Sequence, residues 1–170
     1  MAEKEVLFEE AQSSDAAQLV DFLAQVTAET DLISQTGPAL TEAEMTNFLL
    51  KQAENQRAIC LLAKLDSQVI GTLNVVACQK DGNWFGDLFL VVGRAYWGYG
   101  IGQTLLEMVL DWAETMQTLD GLILTVQVRN KRALHIYQKF GFNIDSLQQA
   151  ALVNRENNTL DVYTMSRLIK

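Results

Sequence analysis

Apolar positions along the chain change period from place to place, and each change marks an element. Leu19, Phe22, Leu23 and Val26 recur at three- and four-residue spacings, so they share one face of a helix. Ser13, Ser14 and Asp15 stand just ahead and offer side-chain oxygens for the first unpaired amides. A short strand through Val6-Leu7-Phe8 precedes that helix, and a second helix carries Met45, Phe48, Leu49 and Gln52, opened by Thr41 and Glu44 at capping-box spacing. Between the helices lies a looser segment, 27 to 40, with the only proline, Pro38. Three β-rich runs follow, Ala58 to Leu65, Val69 to Ala77 and Trp84 to Val92. Asp66-Ser67-Gln68 and Asp81-Gly82 separate them, and the spacing predicts an antiparallel meander. Helical periodicity then returns over Gln103 to Met116, with an apolar stripe of Ile101, Leu105, Met108, Trp112 and Met116 opposite Glu107, Asp111 and Glu114. Leu122, Leu124, Val126 and Val128 alternate as a strand, Lys131 to Phe140 reads as a helix, and two last strands run through Ile144 to Val153 and Leu160 to Arg167.

This order predicts an α/β fold: a central mixed, mostly antiparallel sheet with helices on both faces. With 170 residues, 49% of them hydrophobic, and no repeat or linker, a single domain over residues 1–170 is expected, loose only at Met1 to Lys4. The polar start Met1-Ala2-Glu3-Lys4-Glu5 and the short apolar runs offer neither a signal peptide nor a span, so a cytoplasmic protein without a membrane partner is expected. A net charge of −8 opposes nucleic acid and acidic membranes and tilts any substrate preference toward cations. Cys60 and Cys78 sit in apolar strand-like runs and read as buried, reduced thiols. Two separated cysteines and one histidine, His135, make no recognisable metal-ligand set.

Candidate chemistry concentrates in Trp97-Gly98-Tyr99-Gly100-Ile101-Gly102, between the apolar run Leu88 to Val92 and the helix that follows. Alternating glycines permit a sharp bend and a close approach of backbone to ligand, and a helix start presents unpaired N–H groups to an anion. The arrangement describes a phosphate cradle. A dinucleotide fingerprint fits poorly. Read from Gly100, its third small residue would fall at Leu105, the loop follows a meander, and no acidic residue ends a following strand about twenty residues on.

Downstream, Asn130, Ala133, Tyr137, Gly141 and Phe142 stand at Asn-x-x-Ala-x-x-x-Tyr-x-x-x-Gly-Phe spacing. With the glycine loop, they make the chain resemble the GCN5-related N-acetyltransferase (GNAT) superfamily over nearly its whole length. The family signature Gln/Arg-x-x-Gly-x-Gly/Ala begins here with Trp97, a departure of one side chain. The resemblance implies that contacts to the cofactor's pyrophosphate come mostly from backbone N–H groups of residues 98 to 103, so acetyl-CoA binding is expected to survive. The resemblance implies cofactor contacts from Leu90, Val91, Val92, Trp97, Gly98, Tyr99, Gly100, Ile101, Gly102, Gln103, Asn130 and Ala133. A backbone N–H near Leu90 to Val92 would polarise the thioester carbonyl, and Tyr137 would act as general acid for the departing thiolate.

A thioester is already activated, so an amine held in near-attack geometry needs no protein nucleophile, and a phenol of reference pKa about 10 suits protonation of sulfur. Asp87 is the candidate for taking the amine's proton, with a solvated strand-start carboxylate as its plainer reading. His135, two residues from Tyr137, faces elsewhere on its helix and is expected at the surface or behind the site, supporting it indirectly. Glu29 and Asp31 are candidates to meet a cationic amine, with plain surface exposure as the equal alternative. The resulting expectation is an acetyl-CoA-dependent N-acetyltransferase acting on a primary amine of unread identity in a ternary complex. No metal is expected, and a homodimer is in keeping with the family. The alternative is a non-catalytic acyl-CoA-binding sensor of the same fold.

Overall fold

Alternation along β2 (Ile59–Leu65) divides the core between two faces of a sheet. Ile59, Leu61 and Ala63 join one apolar cluster with α3 (Ile101–Met116), while Cys60 and Leu62 join another with α1 (Ala16–Glu29) and α2 (Glu42–Glu54). A computed structural model of the chain describes residues 4–33 and 39–169. Pro38 and Met1 to Ala2-Glu3 lie outside the described residues; Lys4 lies within them and pairs with Asp66 at 2.8 Å, both largely exposed. The remaining elements are β1 (Leu7–Glu10), β3 (Gln68–Lys80), β4 (Asn83–Val92), β5 (Gly121–Gln127), α4 (Lys131–Lys139), β6 (Asn143–Val153) and β7 (Thr159–Leu168).

The strands form one seven-stranded sheet in the order β1-β2-β3-β4-β5-β7-β6. Every pairing is antiparallel except β4 with β5, which is parallel, so the sheet is mixed as the pattern of elements predicts. That single parallel pair is short. It holds only Phe85 to Gly121, Gly86 to Leu122 and Asp87 to Ile123, after which the strands diverge. Two glycines make its close approach possible: a Cβ on Gly86 would lie 2.4 Å from Val75 Cγ1, and one on Gly121 would lie 2.9 Å from the Phe85 ring.

Three local expectations change. Ser13 and Ser14 do not cap α1; with Asp15 they form one 3-10 turn, and the Asp15 carboxylate accepts the Gln12 N–H at 2.8 Å and pairs with the Lys64 ammonium at 2.8 Å. The buried face of α3 is centred on Leu105, Leu106, Val109, Leu110 and Ala113. Met108 and Trp112 fall on its flank and Met116 is exposed, because the apolar arc is wider than one i, i+4 stripe. Of the thiols, Cys60 is buried, which pushes its pKa up to about 11 against the opposing effect of the Thr72 hydroxyl, whereas Cys78 is only partly covered. The capping box of α2 forms as expected, Thr41 accepting the Glu44 N–H at 3.2 Å and Glu44 the Thr41 N–H at 3.1 Å.

Candidate active site

Divergence of β4 from β5 leaves backbone groups of β4 without strand partners. Gly93 N–H donates to the Ile70 carbonyl on β3 at 2.8 Å, and on the other edge the Trp84 carbonyl accepts from Asp120 N–H at 2.7 Å. The β3–β4 register runs unbroken from Asn83 to Val92, and the parallel ladder ends at Asp87 and Ile123, so strand alternation turns the amides of Leu90 and Val92 into the gap. Val91, included in the sequence-based set of cofactor contacts, has its amide directed at Thr72 on β3 instead. Beneath the gap lies a cleft of about 440 Å³, lined by Asp87 to Val92, Asn74 and Val76 of β3, Thr125 and Val126 of β5, the glycine loop and α4.

The glycine loop closes one end of this cleft. Gly98 and Gly100 have φ of 87° and 78°, left-handed values that glycine adopts without strain. Gly100 occupies the N-cap position of α3, and a Cβ there would meet nothing within 4 Å, so it borders open space. Thr104 N–H to the Gly100 carbonyl, at 3.0 Å, is the first bond of the helix. The N–H groups of residues 98 to 103 donate to no acceptor among the described residues, which leaves a run of free donors at one end of the cleft. The donor set therefore fits a pyrophosphate. Cations gather around it in an otherwise acidic chain: the guanidinium carbons of Arg132 and Arg94 lie 5.5 and 6.0 Å from the Trp97 ring centroid, and Lys139 Nζ lies 3.4 Å from Gln103 Oε1.

Helix α4 forms the opposite wall. Asn130 Oδ1 accepts the Ala133 N–H at 3.3 Å, so the motif asparagine caps the helix as well as lining the cleft. One turn on, Tyr137 is buried, its ring edge-on to Phe142 at 5.8 Å between centroids. The Tyr137 hydroxyl has no hydrogen-bond partner among the described residues, yet it is not a sealed polar atom, so it opens into the cleft. Burial raises its pKa far above the usual phenol value, and it keeps its proton at neutral pH. Asp87 sits where the strands part. It is exposed to the cleft, but the enclosing walls withdraw enough solvent to raise its pKa, and no hydrogen bond or cation among the described residues holds it ionised.

The cleft thus collects Asp87, Leu90, Val91, Val92, Trp97, Gly98, Gly100, Ile101, Gly102, Gln103, Asn130, Ala133 and Tyr137. Tyr99 is the exception. Its side chain is 78% exposed and off the cleft, so only its amide is available. His135 lies at the surface as expected. Asp31 is committed to Arg129 at 2.7 Å, and Glu29 accepts the Arg94 N–H at 3.1 Å, so neither carboxylate is unengaged. Sequence reasoning missed Arg132, whose only signal was its place beside the motif asparagine, and Gln127, 1% exposed, which donates to the Asp31 carbonyl at 2.6 Å and ties the α1–α2 segment to β5.

Residues 26–142 match the family model of the acetyltransferase (GNAT) family. The chain belongs to the GNAT family. Its fold matches a crystal structure of a GNAT-family acetyltransferase from Streptococcus pneumoniae with a TM-score of 0.90 and 44% identity, covering 97% of this chain and 100% of that one. A putative acetyltransferase from Salmonella typhimurium, solved with acetyl-CoA as its cofactor, shares the GNAT fold at a TM-score of 0.85 and 15% identity, over 98% of this chain and 95% of that one. Among curated relatives, the L-amino acid N-acetyltransferase AaaT of Escherichia coli is 28% identical over 110 residues, 64% of this chain and 67% of the relative.

Proposed function

We propose that this GNAT protein transfers an acetyl group from acetyl-CoA to a primary amine by direct attack within a ternary complex. The observation that carries the reading is the continuity of one cleft, in which free loop amides, the unpaired edge of β4 and the Tyr137 hydroxyl face the same space. The likeness to acetyltransferases, one of them bound to acetyl-CoA, supports the donor. The amino-acid acceptor of one curated relative supports a small amine.

Acetyl-CoA, when bound, supplies an acyl group activated as a thioester. The amides of residues 98 to 103 hold the pyrophosphate, with the positive end of α3 behind them. Asn130 and Ala133 line the channel that leads inward along α4. The Leu90 N–H, turned into the gap, donates to the acyl oxygen as negative charge develops there. Asp87 takes a proton from the attacking amine at a carboxylate oxygen, its raised pKa bringing it closer to its proton donor. Tyr137 gives its phenolic proton to the departing sulfur and regains one from solvent through the cleft. Asp87 releases the amine's proton to solvent, so both groups are reset, and the N–C bond forms as the C–S bond breaks.

The test is calorimetric titration of the folded chain with acetyl-CoA, with ADP and NAD at the same concentration as controls. Selective micromolar binding of acetyl-CoA, followed by turnover with at least one member of an amine panel, is the expected outcome. Absence of binding would refute the donor assignment, and binding without turnover on any amine would favour a sensor.

A further inference from the structure

The loop departs from the family signature at its first position, where Trp97 replaces a polar or cationic side chain, and the structure shows what stands there instead. Trp97 is fixed from below: its indole N–H donates to the Val92 carbonyl at 2.8 Å, inside the β4–β5 gap. Over its ring lies Arg132, the guanidinium carbon 5.5 Å from the centroid, within cation–π range. That guanidinium also covers the loop itself, since a Cβ on Gly98 would lie 3.5 Å from Arg132 Nη2. Arg132 lines the cleft, and no carboxylate pairs with it among the described residues, so its donors are unspent. Asn130 and the helix start it caps set the position, placing Arg132 in the first turn of α4 and facing the loop. Arg94 touches the same ring from 6.0 Å but does not line the cleft.

We propose that Arg132, stacked on Trp97, is the cation that engages the pyrophosphate of acetyl-CoA above the glycine loop, in place of the side chain the loop lacks at position 97. A planar guanidinium grips a pyrophosphate through paired N–H donors, and stacking holds that plane in position before the ligand arrives. The inference rests on the donor assignment made above, and its test separates the two.

Dissociation constants for acetyl-CoA and for 3′-dephospho-acetyl-CoA are measured by calorimetry at fixed low salt. The proteins are the wild-type chain, Arg132→Ala, Trp97→Leu, Trp97→Phe and the double variants, each checked for cooperative unfolding. Arg132 is exposed, so its variant keeps the fold. Arg132→Ala is expected to weaken both ligands by about 10- to 100-fold, the span of a charged hydrogen bond. The same substitution should cost clearly less in the Trp97→Leu background and its full amount in Trp97→Phe, which keeps a ring beneath the guanidinium. Unchanged affinity in Arg132→Ala, or strict additivity with Trp97→Leu, would overturn the proposal. A penalty that disappears with the dephospho ligand would also overturn it, by assigning Arg132 to the ribose phosphate. Failure of the wild-type chain to bind either ligand would instead sink the donor assignment itself.

Discussion

Replacing Tyr137 with phenylalanine separates a chemical role from a structural one, because the structure specifies what the hydroxyl does not do. It has no hydrogen-bond partner among the described residues, so its removal leaves no donor or acceptor orphaned there. The ring, which packs edge-on against the fully buried Phe142, stays in place. Stability should therefore change by no more than about 0.5 kcal/mol, which for a chain of this length moves Tm by at most about 2 °C. The affinity for acetyl-CoA should stay within about twofold, since the hydroxyl is proposed to act on the departing sulfur and not in binding. Turnover should fall by about 100-fold, the lower range for general acid catalysis. Its buried pKa keeps Tyr137 protonated through neutral and mildly basic pH, so the wild-type rate should show no alkaline fall from this group in that range. Steady-state kinetics with the best acceptor, calorimetric affinity and thermal unfolding together decide the matter. Equal kcat in wild type and Tyr137→Phe refutes the general-acid role, and a Tm drop of several degrees refutes the claim that the hydroxyl is structurally idle. Tyr137→Ala, which also deletes the ring, should cost about 3–5 kcal/mol and serves as the contrast.

Two further substitutions probe the rest of the cleft. Gly100→Asp puts a side chain and a negative charge into the open space of the loop at φ 78°. It should abolish detectable acetyl-CoA binding while costing only about 1 kcal/mol in backbone strain, as read by calorimetry and unfolding; normal affinity would show that the loop is not the cradle. Asp87→Asn should lower kcat/KM by about 100-fold at neutral pH and remove the acid limb of the pH–rate profile. Desolvation raises the Asp87 pKa in the fold, so the wild-type carboxyl contributes most below its unfolded value and loses that contribution as pH rises through the folded one. The Tm of Asp87→Asn relative to wild type should therefore climb as pH passes upward through the carboxylate range, and a relative fall in Tm would contradict the desolvated site.

Much of this architecture was legible in the chain because its signals are local. The meander follows from alternation and from turns at Asp66-Ser67 and Asp81-Gly82, where Asp66, Ser67, Asp81 and Gly82 all take positive φ. The glycine loop and the Asn130 motif named the residues at the loop and along α4, from Trp97 to Gln103 and Asn130, Ala133 and Tyr137, since backbone geometry ties their roles to spacing, but not Tyr96, Thr125, Val126 or Ile136, which the fold brings to the same cleft. Contacts between distant segments were not legible. Lys64 drawing Asp15 away from its capping role, Arg129 and Gln127 occupying Asp31, and Arg132 reaching Trp97 all depend on where the sheet brings separate elements together. The facing of single amides, such as Val91 against Leu90, was hidden for a related reason: it depends on strand register, which sequence periodicity leaves undetermined by one residue.

The three-residue seam between β4 and β5 has a mechanical meaning. It joins two leaves, β1 to β4 and β5 to β7, along a line shorter than any other pairing of full-length strands in the sheet. A donor molecule lying in the gap would touch both leaves at once, β4 through the Leu90 amide and the second leaf's side through Tyr137 on α4. Filling the cleft then acts as a clasp, and the hydrogen-bonding capacity withheld from the sheet becomes the grip by which a ligand stiffens the protein around itself.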